Sequence, residues 1–220
     1  LPPWYSPSVP LICAEPLALV AFAKRRSGDR YRWHWAGLAV GFLYLSADEG
    51  GGIHEFIGPL FAGVGHWLTL HVSSYFRYLA AYPVYTWVLP ASAAAAIIGV
   101  IYLKFLLALP RRTAVSFVLA AAIYLGGAVG VEVIGARHVL LYGDRDAVYG
   151  VLVILEESME MSGIALFLYT VLRYAAAEIR SMYLQFDTMP SVAHESVDRA
   201  IASGDLPTAI NHGRLPPRQA

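Results

Sequence analysis

Residues 84–107 form an apolar block of membrane-spanning length whose only charge is Lys104, close to its end. Its centre reads ASAAAAIIGVIYL. A helix needs about 20 predominantly apolar residues to cross about 30 Å of hydrocarbon, and a surface helix of a soluble domain would need a polar face that this block lacks. Four further blocks of comparable length lie at roughly residues 4–23, 35–61, 113–136 and 148–172. The first is the weakest, because Pro7, Pro10, Pro16 and Glu15 interrupt it and predict a kinked or incomplete span. Composition agrees: 57% of the 220 residues are hydrophobic and 15% charged, against about 45–50% and about 25% in soluble domains. The expected fold class is therefore all-α, a polytopic integral membrane helical bundle of about five transmembrane helices over residues 1–174, followed by a short cytoplasmic tail at 175–220.

Basic residues orient the spans. Lys24, Arg25, Arg26, Arg30 and Arg32 separate the first two blocks, Arg111 and Arg112 the third and fourth, and Arg173 and Arg180 follow the fifth. These regions alternate onto one side, which the positive-inside rule makes cytoplasmic, as in a bacterial-type inner membrane with the C-terminus inside. The opposite loops carry Arg77, Arg137 and Arg145. One of them, GVGHWLTLHVSSYFRYLAAYP, is aromatic and weakly charged, and is expected to lie along the headgroup zone as a helix or lid. In the tail, Pro190 ends the last helix, and a short helix capped by Ser191 and stopped near Gly204 is expected. The sequence begins at Leu1 rather than a methionine, so a signal peptide is not judged from it.

Two readings are excluded by simple counting. Net charge is zero, which argues against nucleic acid as a partner. The single cysteine, Cys13, rules out an intramolecular disulfide and a cysteine-cluster metal site.

Against this background the stretch SADEGGGIHE, residues 46–55, is anomalous. It places Asp48, Glu49, His54 and Glu55 where hydrocarbon is expected. At about 1.5 Å per residue, Asp48 lies about 20 Å into the second span, in the outer half. The fourth span brings Glu132 to its outer end, and the fifth places Glu156 and Glu157 about 12 to 14 Å deep and Glu160 about 18 Å deep. Three distant segments thus put acids at overlapping depths, with no lysine or arginine among them. An ionised acid at the bilayer centre costs at least about 2.5–3.5 kcal/mol, so something must neutralise them. Glu156, Glu157 and Glu160 share one helix face, continued by Gly163, and Asp48 shares a face with Glu55. Three consecutive glycines, Gly50 to Gly52, predict a break that would re-aim Glu49 and His54, as broken spans do around binding sites.

Three functions follow as expectations. In the first, the cluster holds a divalent metal, Fe, Mn or Zn, with His54, Glu55, Glu132, Glu156, Glu157 and Glu160 as ligands and Asp48 and Glu49 as ligands or catalytic general acid/base. Whether such a site is an enzyme is left open. In the second, the acids relay protons or cations across the membrane. In the third, the chain is an accessory structural subunit of a membrane complex. It would pack on lipid and on membrane-protein partners through small-residue faces, Gly37 with Gly41 and Gly126 with Gly130, and through its tail. Among lesser signals, His66 and His71 read as surface histidines and His138 as a residue at the outer mouth.

Overall fold

The structure, a computed structural model, describes the backbone of residues 5–187 and the side chains of residues 7–178. The tail helix expected between Ser191 and Gly204 lies outside the described residues. The chain divides into two units, residues 1–176 and 177–220, and the candidate site belongs to the first.

The described residues are helical throughout, with no strand among them. Three helical stretches are long and apolar enough to cross a membrane: Pro7–Arg26, Pro83–Ala108 and Arg111–Tyr142. This is a transmembrane protein. The first stretch is α1 (Tyr5–Arg26), one continuous helix with Pro10 and Pro16 inside it, where the sequence predicted a kinked or partial span. Prolines are tolerated in membrane helices because neighbouring groups satisfy the freed backbone. α2 (Arg32–Gly51) packs beside it, and its Ser46 hydroxyl donates to the Pro7 carbonyl at 2.7 Å.

The second expected span does not run through to residue 61. α2 stops at Gly51, Gly52 adopts the left-handed conformation with φ +59°, and a short helix α3 (Ile53–Ile57) restarts in a new direction. A 3₁₀ turn (Gly58–Phe61) leads into α4 (Ala62–His71) and α5 (Arg77–Ala80). The aromatic loop is thus a set of short helices. A second 3₁₀ turn (Pro83–Trp87) opens α6 (Val88–Ala108). α7 (Arg111–Leu125) passes through a π-helical turn (Gly126–Val131) into α8 (Glu132–Tyr142), and α9 (Ala147–Asp187) completes the described chain.

Among lipids there is little hydrophobic drive between helices, so close packing and hydrogen bonds hold them together. At the basic end of the bundle the packing is aromatic. Trp35 of α2 stacks on Tyr174 of α9 at 4.8 Å and meets Phe105 of α6 edge-on at 5.1 Å, while Phe117 of α7 stacks on Phe167 of α9 at 4.4 Å. Tyr102 and Tyr31 reinforce this clasp by donating to the carbonyls of His34 and Lys104, each at 3.0 Å. Halfway along, α9 touches α7 backbone to backbone. A Cβ on Gly163 would sit 2.8 Å from the Ala120 carbonyl oxygen and the Tyr124 nitrogen, and one on Gly127 would sit 2.9 Å from the Glu156 carbonyl oxygen. Gly37 faces the Tyr102 hydroxyl in the same way. Two of the four glycines expected to receive partner proteins, Gly37 and Gly126, thus face side chains of the same chain, Tyr102 and Met159. Gly41 and Gly130 face open space.

Candidate functional site

The left-handed turn at Gly52 makes the site. Asp48 and His54 are six residues apart, so a regular helix would hold them on different faces. The left-handed turn at Gly52 brings His54 back to Asp48 near the end of α2. Asp48 Oδ1 then accepts the His54 backbone N–H at 2.7 Å, and Oδ2 meets the ring Nδ1 at 3.1 Å. A single carboxylate thereby fixes both the backbone and the imidazole, and leaves Nε2 as the ring's outward nitrogen.

The other side of the imidazole is covered by Trp87, whose ring lies 4.8 Å away. Trp87 is positioned by its neighbour. The buried Thr86 hydroxyl lies between the carbonyls of Gly58 and Pro83, 2.7 Å from the latter, and ties the 83–87 turn to the 58–61 turn. The indole Nε1 of Trp87 donates to Glu132 Oε1 at 3.1 Å. Glu132 is the first residue after the π-helical turn, and its carboxyl group lies within electrostatic reach of Glu156 on α9. π turns are rare and concentrate at functional sites, because one extra residue re-aims everything after it.

Further acids surround this chain of contacts. Glu49 interacts electrostatically with Asp48, His54 and Glu157; Glu160 does so with Glu49, Glu132, His54 and Glu157. Asp48, Glu49, His54, Glu132, Glu156 and Glu160 come from four helices, and the direct contacts are those of Asp48 with His54 and of Trp87 with Glu132. Two expected ligands are exposed. Glu55 is exposed and folds back over Gly52, its carboxyl carbon 3.5 Å from where a Gly52 Cβ would lie. Glu157 is exposed on the outer face of α9. Among the described residues, no three His, Cys, Asp or Glu side chains are grouped closely enough to hold a metal ion as they stand. His138 is engaged elsewhere, with Nε2 2.9 Å from both carboxylate oxygens of Asp146. His66 is exposed, and His71 is exposed with Nδ1 2.9 Å from the Trp67 carbonyl.

A cavity of about 610 Å³ opens beside the group. Asp48, Glu49, His54 and Trp87 line one end of it, and its walls are apolar, formed by α2, α6 and the start of the π turn. Sequence reasoning missed Trp87 and Thr86, which fall inside the third expected span, and Tyr124, which lines the cavity from α7. The one signal for Tyr124 was a phenol in the middle of an otherwise aliphatic span.

The model of a family described as a domain of unknown function (DUF8692) matches residues 1–174, and the chain belongs to that family. No curated protein and no solved structure matches it.

Proposed function

We propose that this protein is a membrane-embedded acid–base centre, an integral membrane enzyme whose substrate reaches it from the lipid. His54 is the proton-transferring group. Asp48 is its positioning carboxylate, setting the tautomer and orientation of the ring. Glu49 and the Glu132–Glu156–Glu160 group form a proton reservoir behind it. The observation that carries this reading is the two-point hold of Asp48 on His54 at the polar end of a cavity in the membrane region. A group used only for packing has no need of a fixed tautomer facing open space. In the same reading α1, α2, α6, α7–α8 and α9 each cross the membrane, with the basic end cytoplasmic.

The test is the reactivity of His54 Nε2 toward diethyl pyrocarbonate in the purified full-length protein, mapped by peptide mass spectrometry. The expected result, at a pH where both imidazoles are neutral, is a lower rate in Asp48→Asn than in wild type, because the carboxylate orients the ring and raises its basicity. Equal rates would contradict the reading.

A second reading keeps the same pair and adds a metal. A carboxylate behind an imidazole is also how metal-ligating histidines are oriented. His54 Nε2, with Glu49 and Glu160, would then take Fe, Mn or Zn after a shift of side chains. Elemental analysis of gently extracted protein separates the two readings: about one equivalent of metal favours the second, and a trace amount favours the first.

A further inference from the structure

We infer that the cavity beside Asp48 and His54 binds a single-chain amphiphile with a cationic amine head, entering sideways from the bilayer. The inference rests on reading Asp48, Glu49 and His54 as a ligand-facing site, and it names the class of molecule that the site takes.

The shape of the cavity supplies the chain-binding part. α2 and α6 are clasped together at the basic end by Tyr102 and Phe105, and they part toward the acid end. Small residues leave the space between them unfilled there: Gly41 on α2, and Ala91, Ala94 and Ala95 on α6. A second cavity of about 540 Å³ continues from the first toward the basic end, sharing Leu38, Phe42, Ile98 and Tyr102 in its walls and reaching Phe105 and Phe117. Measured along α6 from Trp87 to Phe105, the combined groove is about 27 Å long at 1.5 Å per residue. That exceeds the roughly 15 Å of one leaflet's hydrocarbon, half the bilayer core. Its α6 wall is open: Ala94 and Ile98 are both exposed, so the groove faces the lipid side. In a bilayer, the molecules beside such an opening are hydrocarbon chains.

Charge supplies the head-group part. The ionisable side chains at the polar end are Asp48, Glu49 and His54, together with the phenols of Tyr44 and Tyr124, and neither cavity has a lysine or arginine in its walls. Glu132, Glu156 and Glu160 add further acid behind them. An ammonium ion placed here meets carboxylates and the π faces of Trp87 and Tyr44, which is the combination of groups that recognises organic cations. A phosphate or carboxylate head would meet the carboxylates of Asp48 and Glu49, with the His54 imidazole already taken up by Asp48. A neutral hydroxyl head would leave the acids without a counter-charge in a region where ionised acids are costly.

The experiment uses purified full-length protein in maltoside micelles and tritiated hexadecylamine, with hexadecanol and palmitate as matched chains. The expected result is saturable binding of one hexadecylamine per chain, with the alcohol and the acid at least tenfold weaker. Gly41→Phe and Ala94→Phe, which fill the groove from positions with open space or exposure, should each weaken amine binding at least tenfold, and Glu49→Gln should do the same from the head end. If one filling variant does not fold, the other carries the test. Equal binding of hexadecanol overturns the inference, because the charge would then select nothing. Amine binding that is unchanged by both filling variants also overturns it, because that marks adsorption to an anionic surface. Absence of saturable hexadecylamine binding overturns it as well. In each of these cases the dependence of His54 reactivity on Asp48 stands or falls separately, so failure of the ligand class is distinguishable from failure of the acid–base reading.

Discussion

Asp48 holds His54 twice, through the backbone N–H at 2.7 Å and the ring Nδ1 at 3.1 Å. This is possible only because Gly52, between them, has φ +59°. A left-handed residue with a Cβ costs about 1–2 kcal/mol. Gly52→Ala is expected to lower thermal stability in detergent by an amount of that order, and Gly52→Asn by less, since asparagine tolerates this conformation better. Circular dichroism melts of the two variants check the order; an alanine variant as stable as wild type would mean that the turn is not left-handed.

The close approach of α7 and α9 makes a second expectation. Gly163→Ala and Gly127→Ala place a methyl group within 3 Å of facing backbone atoms. Backbone cannot rotate away as a side chain can, so the helices must separate, at a cost of about 1–3 kcal/mol each. Gly130→Ala points into open space and is expected to be neutral or slightly stabilising, because alanine is the better helix former. Thermal unfolding of the three variants distinguishes contact glycines from free ones.

Trp87 bridges two parts of the site, covering His54 and donating to Glu132. Trp87→Phe keeps an aromatic ring and removes the N–H. It is expected to cost about 1–3 kcal/mol, the penalty for leaving a partly buried acceptor unpaired. If the melt is unchanged, Glu132 has another donor.

Asp146 lies in the turn between α8 and α9, outside the spans. Its carboxyl is held below the usual carboxylate range, chiefly by the Tyr149 backbone N–H and further by the His138 imidazole, against a smaller opposing effect of desolvation. A carboxyl lowered in the folded state contributes stability that is present above its unfolded value of about 3.9 and is lost as pH falls through its folded value. Asp146→Asn is therefore expected to melt below wild type at pH 7, and the gap should shrink as pH falls from about 4 through the lower folded value. A gap that does not shrink below about pH 4 would assign the effect to something other than the carboxylate's charge.

The membrane-spanning character was legible because it depends on block length and apolarity, both of which are properties of local sequence. Depth alone places Glu132, Glu156 and Glu160 at overlapping levels of the bilayer, and Glu160 lies within electrostatic reach of Glu49 and His54. Angular reasoning was less successful at chain breaks. On a regular helix Asp48 would share a face with Glu55, seven residues on, and not with His54. The turn at Gly52 reverses that, sending Glu55 to the exposed rim and bringing His54 inward. The run Gly50–Gly52 flagged a break but not its geometry. The π turn before Glu132 left no comparable mark: GGAVGV also reads as ordinary packing glycine. Trp87 owes its place to Thr86, a contact between turns 28 residues apart in the chain, which no local pattern reports.

The claim on which the rest depends is that acids from separate helices share one compartment. Glu49→Cys combined with Glu160→Cys, in a Cys13→Ala background, tests it directly with a short bis-maleimide linker. Glu55→Cys with Glu160→Cys serves as the control at the exposed rim. The account expects rapid intramolecular cross-linking of the 49–160 pair and slow reaction of the 55–160 pair. If the first pair links no faster than the second, α2 and α9 do not bring their carboxylates together, and the site described above does not exist.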